Sequence, residues 1–197
     1  MSDIFCVTNR KLCREDFLKR IEKIAKAKPY GIILREKDLN EIDYGILFAR
    51  VNEICSHYSV NLYAHGNINF AKREKCARIH LPLNALLRVS DGDKKSFDVL
   101  GASCHGTDEA KKAEAHGSSY ITAGHIFETQ CKKGLAPRGL EFLKEVCKSV
   151  QIPVFAIGGI TPQNYGSVKE AGAFGACLMS SLMQCEDPES YMNEFKY

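Results

Sequence analysis

The chain repeats one pattern of hydrophobic and polar positions from beginning to end. A short run of consecutive apolar residues is followed by a stretch in which apolar residues recur at helical spacing, and apolar runs of this kind occur eight times. Apolar runs of about four to eight residues are typical of strands buried on both faces, and longer periodic stretches are typical of amphipathic helices. Strands that alternate with helices predict a parallel sheet.

The boundaries of these elements follow from where each pattern begins and ends. The predicted strands are residues 4–8, 31–35, 61–65, 78–81, 99–103, 120–124, 154–157 and 175–179. The predicted helices are residues 16–26, 46–58, 107–116, 140–149, 162–171 and 188–195, with a short segment at 68–75 and a long polar loop at 127–138. In the second helix, Ile46 is expected on the buried face together with Leu47, Val51 and Ile54.

Eight strand–helix units in 197 residues favour a closed (β/α)8 TIM barrel. The length is near the lower limit of about 200 residues for this fold, so the loops must be short. An open, doubly wound parallel sheet is the alternative. Because no linker or low-complexity segment divides the chain, we expect one barrel domain over residues 1–197.

Composition excludes several classes of protein. Hydrophobic residues make up 45% and charged residues 26%, which is an ordinary globular balance. The net charge of +3 does not favour a nucleic-acid partner, and no apolar run is long enough for a membrane span. The nine cysteines form no CxxC pair or zinc-site spacing, and the N-terminus does not resemble a signal peptide. We therefore expect a cytoplasmic protein with reduced thiols.

Glycine and serine residues follow the last two predicted strands. Gly158 and Gly159 come after the seventh strand, and Met179 and Ser180 come after the eighth. In TIM barrels the loops after these strands commonly bind phosphate, and glycine lets a ligand approach the backbone closely. These four residues are the predicted phosphate site. The alternative is that the two glycines only form a tight turn.

Other polar side chains stand at strand ends, where barrels carry their active sites. Arg35 and Lys37 follow the second strand and suit an anionic substrate. The alternative for the first of these is a surface ion pair with Glu36. His65 ends the third strand and Ser103 the fifth, and both are candidates for the rim of the site.

His125 directly follows the sixth strand, and the long loop behind it contains Thr129 and Lys132. The unperturbed pKa of histidine lies near neutral pH, which suits proton transfer. His125 is therefore the candidate catalytic residue. The alternative is a histidine that only caps backbone groups.

The motifs at these strand ends resemble those of the thiamin phosphate synthase and thiazole tautomerase superfamily over nearly the whole chain. Leu-Arg-Glu-Lys at 34–37 and Ile-Gly-Gly-Ile-Thr-Pro at 157–162 carry this resemblance. The block at 124–135 is the most specific part and is similar to the tautomerase branch. The resemblance implies an isomerase that shifts a proton in a carboxythiazole phosphate, with His125 as acid and base and without a cofactor. It also implies substrate contacts from the following residues: Arg35, Lys37, His65, Ser103, Thr129 and Lys132.

The synthase branch is the alternative. It is a transferase that joins a pyrimidine diphosphate to a thiazole phosphate with Mg²⁺, held by carboxylates after the third and fourth strands. The matching positions here are Gly66 and Ala85, and no pair of carboxylates stands at strand ends. No metal is therefore expected unless the synthase alternative holds. A non-catalytic thiazole-phosphate binder is a third hypothesis, and a homodimer is left open.

Overall fold

Eight parallel strands close into a barrel in the computed structural model, which describes residues 2–195. Each strand pairs with its neighbours in chain order, and β1 also pairs with β8. The strands are β1 Ile4–Val7, β2 Gly31–Ile33, β3 Leu62–His65, β4 Arg78–Pro82, β5 Val99–Cys104, β6 Tyr120–Gly124, β7 Val154–Ile157 and β8 Gly175–Leu178. The predicted closed barrel is confirmed, and the open-sheet alternative is wrong.

Helices lie between the strands and cover the outside of the barrel. They are α1 Phe17–Lys26, α2 Glu41–His57, α3 Ile68–Arg73, α4 Leu83–Leu86, α5 Asp91–Lys94, α6 Thr107–Ala115, α7 Gly139–Ser149, α8 Pro162–Glu170, α9 Ser180–Gln184 and α10 Pro188–Asn193. Two short 3₁₀ helices, Arg10–Leu12 and Gln130–Lys132, lie in the loops after β1 and β6. Within residues 2–195, none of the helices combines the length and apolar character that a bilayer span requires.

Every strand buries both of its faces, which explains the continuous apolar runs. In β1, Ile4 and Cys6 pack outward against the helices, whereas Phe5 and Val7 point into the barrel. Side chains alternate between the two faces of a strand, so each strand supplies both layers of the core. The barrel interior is therefore filled, and a ligand has room only at the ends of the strands.

Aromatic rings fill the interior at the end away from the strand C-termini. The Phe5 ring lies 5.1 Å from the rings of both Tyr63 and Tyr120 and 4.7 Å from that of Phe155. Gly101 makes room for this cluster, because a Cβ atom there would lie 2.2 Å from the Tyr120 ring. These rings form the floor beneath the site.

The structure corrects three details of the predicted helices. Helix α2 begins at Glu41 rather than at residue 46, because the Asn40 side chain accepts a hydrogen bond from the Asp43 amide at 2.9 Å and caps it. Ile46 is 60% exposed, so its predicted place on the buried face is wrong. Short helices α4, α5 and α9 were also missed, because four or five residues are too few to show a helical period.

Candidate functional site

The mouth of the barrel, where the strands end, is polar on the side of β3 to β6. His65 stands opposite His80 in the sheet register, and Ser103 stands opposite Thr122. The two imidazole rings stack with centroids 6.0 Å apart. Polar side chains therefore replace the apolar core in the layer directly below the opening.

Three cationic side chains lie together at the edge of this opening. Arg35 and Lys37 follow β2, and Lys132 comes from the loop after β6. The charge of Arg35, together with partial burial and the charge of Lys132, lowers the pKa of Lys37. Within residues 2–195, none of the three forms an ion pair with a carboxylate. Cations that repel one another without a counter-ion suit a ligand with several negative charges.

Glu36 lies between Arg35 and Lys37 in the sequence, but its side chain points away from the mouth and anchors the segment that carries these two cations. Glu36 is only 5% exposed, and its carboxylate accepts a hydrogen bond from the Thr8 hydroxyl at 2.7 Å. It also accepts from the Arg10 amide at 3.0 Å and the Arg10 guanidinium at 3.2 Å. Glu36 is thus engaged with Arg10, not with Arg35, so the surface-pair alternative is wrong. This anchor holds the neighbouring cations toward the mouth.

His65 is held neutral beside the cations. Burial, and then the charges of Arg35 and Lys37, lowers the pKa of His65 to about 4. Its backbone amide donates to the hydroxyl of Tyr44 at 3.1 Å, and that hydroxyl donates to the Leu34 carbonyl at 2.9 Å. Tyr44, which the sequence did not single out, therefore links the ends of β2 and β3. A cleft of about 320 Å³ opens beside them.

A buried chain of hydrogen bonds connects the barrel floor to the mouth. The hydroxyl of Tyr120 lies 3.0 Å from Nδ1 of His80, and Nε2 of His80 lies 2.8 Å from Oγ of Ser103. The Thr122 hydroxyl lies 3.4 Å from the same Oγ. Sequence reasoning missed His80, Tyr120 and Thr122 as candidates. The available signal was the presence of polar residues inside otherwise apolar strands.

The loops after β7 and β8 offer free backbone amides. Within the described residues, the N–H groups of Gly159, Met179 and Ser180 donate no hydrogen bond to the protein. Asn164 accepts from the Thr161 amide at 2.9 Å and donates to the Gly159 carbonyl at 3.0 Å, which fixes the first of these loops. Free amides on a fixed loop can bind an anion. The phosphate site at these residues stays a prediction.

Gly158 and Gly159 are also required by a contact between loops. Their φ angles are +100° and +67°, which other residues rarely adopt. A Cβ at Gly158 would lie 2.4 Å from Cβ of His125, and one at Gly159 would lie 2.4 Å from the carbonyl oxygen of Glu128. The loop after β6 packs directly on the loop after β7, so the two glycines have a structural role in addition to any role in binding.

His125 and Thr129 both contact the backbone of the loop after β6. Nε2 of His125 lies 3.3 Å from the Leu135 carbonyl oxygen, and since a carbonyl only accepts, the imidazole donates. The Thr129 hydroxyl accepts from the Cys131 amide at 3.4 Å and begins the 3₁₀ helix that carries Lys132. The structure thus shows the backbone contact that the capping alternative describes for His125.

The donors at the strand ends do not fit a magnesium ion. Gly66 has no side chain, and Ala85 lies on α4 without an oxygen ligand. Glu36 is engaged as described, and no cluster of three or more histidine, cysteine, aspartate or glutamate residues within 2–195 could hold a metal. Magnesium prefers several oxygen ligands. The two positions that the resemblance assigns to metal carboxylates therefore lack them.

Comparisons with known proteins give the family. A model described as thiamine monophosphate synthase matches residues 4–182. The chain belongs to this family. It is 32% identical to a thiamine-phosphate synthase of Fusobacterium nucleatum over 93% of the chain and 90% of that protein. It is 32% identical to one of Methanobrevibacter smithii over 98% and 95%. The solved thiamine phosphate pyrophosphorylase of Pyrococcus furiosus has the same fold, with a TM-score of 0.82, 23% identity, and coverage of 98% and 93%.

These relatives correct the predicted function. The superfamily is confirmed, but the tautomerase branch and the isomerase activity with His125 as acid and base are wrong, because the similar named proteins are thiamine-phosphate synthases. The prediction weighted the block at 124–135 and two missing carboxylates. Similarity over the whole chain supports the synthase alternative instead.

Proposed function

We propose that the protein is a thiamin-phosphate synthase, a transferase that joins a pyrimidine diphosphate to a thiazole phosphate. The observation that carries this proposal is the pair of anion-binding regions at one mouth. Among residues 2–195, Arg35, Lys37 and Lys132 form a cationic group without carboxylate partners, and Gly159 and Ser180 offer free backbone amides. Two regions of different chemistry suit two anionic substrates. An enzyme with one anionic substrate needs only one such anion-binding region.

The cations suit the diphosphate because of how charge moves in this reaction. The thiazole ring displaces the diphosphate, and the C–O bond breaks with its electron pair leaving on the diphosphate oxygen. Negative charge therefore grows on the leaving group in the transition state, where fixed cations stabilise it more than in the ground state. We assign Arg35, Lys37 and Lys132 to the diphosphate, and the amides after β7 and β8 to the thiazole phosphate.

The counter-charge for the diphosphate comes, in this proposal, from the three cations and not from resident magnesium. The lowered pKa of Lys37 supports it, because the Arg35 charge acts on this amine and any bound anion relieves that repulsion. Gly66 and Ala85 supply no carboxylate to hold a metal. The donor set thus favours direct contact between the cations and the leaving group.

The proposal is tested by incubating the purified protein with pyrimidine diphosphate and thiazole phosphate, with and without a chelator. We expect thiamin phosphate and pyrophosphate in equal amounts, and turnover that survives the chelator. A strict magnesium requirement would overturn the metal-free part and leave the transferase intact. Release of neither product would refute the transferase.

Neutral variants of the cations test the assignment of the diphosphate. Arg35→Gln or Lys132→Gln removes a charge-assisted contact worth about 1.5–3 kcal/mol, so kcat/KM should fall about 10- to 150-fold. Lys133→Gln is the matched control, because this exposed lysine is adjacent in the same loop and is not among the charges that act on Lys37. Equal effects of Lys132→Gln and Lys133→Gln would contradict the assignment.

A further inference from the structure

The buried chain from Tyr120 to Ser103 crosses three strands in one row of the sheet register. His80 on β4 stands opposite Gly101 on β5, and Gly101 stands opposite Tyr120 on β6. The Tyr120 ring occupies the space where Gly101 would carry a Cβ, with its hydroxyl 2.4 Å from that point. Because β5 has no side chain in this row, Tyr120 can reach across it to His80.

The direction of the hydrogen bonds follows from the protonation of these groups. Burial and the neighbouring His65 lower the pKa of His80 to about 3, so its ring is neutral and has one donor and one acceptor nitrogen. Burial raises the pKa of Tyr120, which keeps its phenolic proton. In the described part of the chain, the only hydrogen-bond partner of that hydroxyl is Nδ1 of His80. Tyr120 therefore donates to Nδ1, and the His80 proton lies on Nε2.

The reverse arrangement would leave a buried proton without an acceptor. If His80 carried its proton on Nδ1, that nitrogen would donate to Tyr120, and the phenolic O–H would have no partner in the barrel floor. An unmade hydrogen bond of a buried polar group is unfavourable. The tautomer with the proton on Nε2 satisfies both groups.

Ser103 is consequently left with a free proton that faces the mouth. Its oxygen accepts the short hydrogen bond from Nε2 of His80 at 2.8 Å, so its own proton is not used in that bond, and the Thr122 hydroxyl beside it is 3.4 Å away. Ser103 is half-buried, whereas His80 and Tyr120 are 3% and 4% exposed. A substrate acceptor at the usual O–H···O distance of about 2.7–2.8 Å would be a better partner for this proton than Thr122.

We propose that Tyr120 and His80 are positioning residues that fix Ser103 as a hydrogen-bond donor to an unprotonated acceptor atom of the bound substrate. This inference rests on the proposed function for the identity of that substrate, but not for the direction of the chain. A substrate with an acceptor at this atom is favoured over one with a donor, because His80 already donates to the Ser103 oxygen. The chain thus selects for protonation state at one position of the ligand.

The first experiment needs no substrate. Nitrogen NMR of the wild-type protein should show the His80 ring neutral at pH 7 with its proton on Nε2. In Tyr120→Phe the preference for this tautomer should weaken, whereas Tyr63→Phe, in the same aromatic cluster, should leave it unchanged. A wild-type proton on Nδ1, or a charged ring, would overturn the inference whether or not the protein is a synthase.

The second experiment is a double-mutant cycle read as kcat/KM for thiamin phosphate formation. Ser103→Ala should lower kcat/KM about 5- to 100-fold, because the substrate acceptor loses its partner. Tyr120→Phe should lower it by a smaller factor alone, and by less than about twofold when Ser103 is already alanine. Additive losses would mean that Tyr120 acts only on the packing of the barrel.

Thr122→Val keeps the experiment decisive if Tyr120→Phe does not fold. This variant removes the Thr122 hydroxyl, which is the second hydrogen-bond neighbour of Ser103, and retains nearly the same shape. Its effect on kcat/KM should also vanish in the Ser103→Ala background. Wild-type protein that makes no thiamin phosphate would refute the proposed function, and the NMR result would still decide the direction of the chain.

Discussion

The carboxylate of Glu36 should contribute far more to stability than that of Asp38, although both bind Arg10. The Glu36 side chain is 2% exposed and accepts from the Thr8 hydroxyl and from the amide and guanidinium of Arg10. The Asp38 side chain is 37% exposed and contacts the same guanidinium at 2.6 Å. One arginine thus provides an internal comparison between a buried and an exposed partner.

The expected magnitude follows from what each substitution leaves behind. In Glu36→Gln, the amide nitrogen must face the Arg10 donors, and Arg10, whose side chain is 28% exposed, keeps its pair with Asp38. Hydrogen bonds to charged groups contribute about 1.5–3 kcal/mol, and the buried carboxylate accepts from Thr8 as well as from Arg10, so we expect a loss of about 3 kcal/mol. Asp38→Asn removes a solvent-screened pair and should cost about 0–1 kcal/mol.

Urea unfolding at pH 7 measures both losses. With slopes of about 1–3 kcal/mol per molar, Glu36→Gln should shift the midpoint by about 1 M or more, and Asp38→Asn by much less. Because Glu36 lies between Arg35 and Lys37, the first variant should also raise KM for the diphosphate substrate. Equal midpoint shifts in the two variants would refute the reasoning from burial.

Three further predictions concern the histidines and the loops. The pKa of His80 is lowered to about 3, so below pH 6.5 the unfolded chain binds a proton at this residue that the folded chain excludes. His80 should therefore lower stability by about 1.4 kcal/mol per unit as pH drops from 6.5 toward 3, in addition to the same effect of His65, whose pKa is lowered to about 4. His80→Gln should reduce, but not remove, the fall of the urea midpoint with falling pH. Ser180→Asp should abolish thiazole phosphate binding in calorimetry without loss of folding, whereas Ser180→Asn binds measurably; unchanged binding by the aspartate variant would remove this site. His125→Ala should cost less than about 1 kcal/mol and make loop 127–138 more sensitive to limited proteolysis, since the contact with Leu135 is lost; unchanged cleavage would contradict it.

The fold could be predicted because buried parallel strands have a strong local signal. Strands β6 and β7 begin and end at the predicted residues, since β7 is a continuous apolar run followed by glycine, and β6 is apolar except for Thr122 and ends at glycine. The start of α2 was missed because its apolar pattern is weak. Ile42 and Ile46 are exposed there and break the apolar period, whereas the signal that begins the helix is the Asn40 cap.

The site could be predicted only in part, because its chemistry depends on contacts between strands. Arg35 and Lys132 were recognisable from their places after strands. The contact of Tyr120 with His80 was not recognisable. It arises because Gly101, which lies between them in the sheet register, has no side chain. The predicted reaction class was wrong because it relied on the missing metal carboxylates. Their absence excludes one way of neutralising the diphosphate, and cationic side chains can neutralise the same charge.

The aromatic floor also constrains the order of events at the mouth. The rings of the floor are at most 4% exposed and pack against one another, so the barrel interior is open to ligands only at the mouth; these rings belong to Phe5, Tyr63, Tyr120 and Phe155. In the proposed transferase reaction, two reactants enter and two products leave through it. Ser103 is half-buried whereas Lys132 at the rim is exposed, so in this proposal the reactant that contacts Ser103 binds first, and the product that contains it leaves last. The closed floor thus predicts that the two substrates bind in a fixed order and the two products leave in a fixed order, which steady-state kinetics would show.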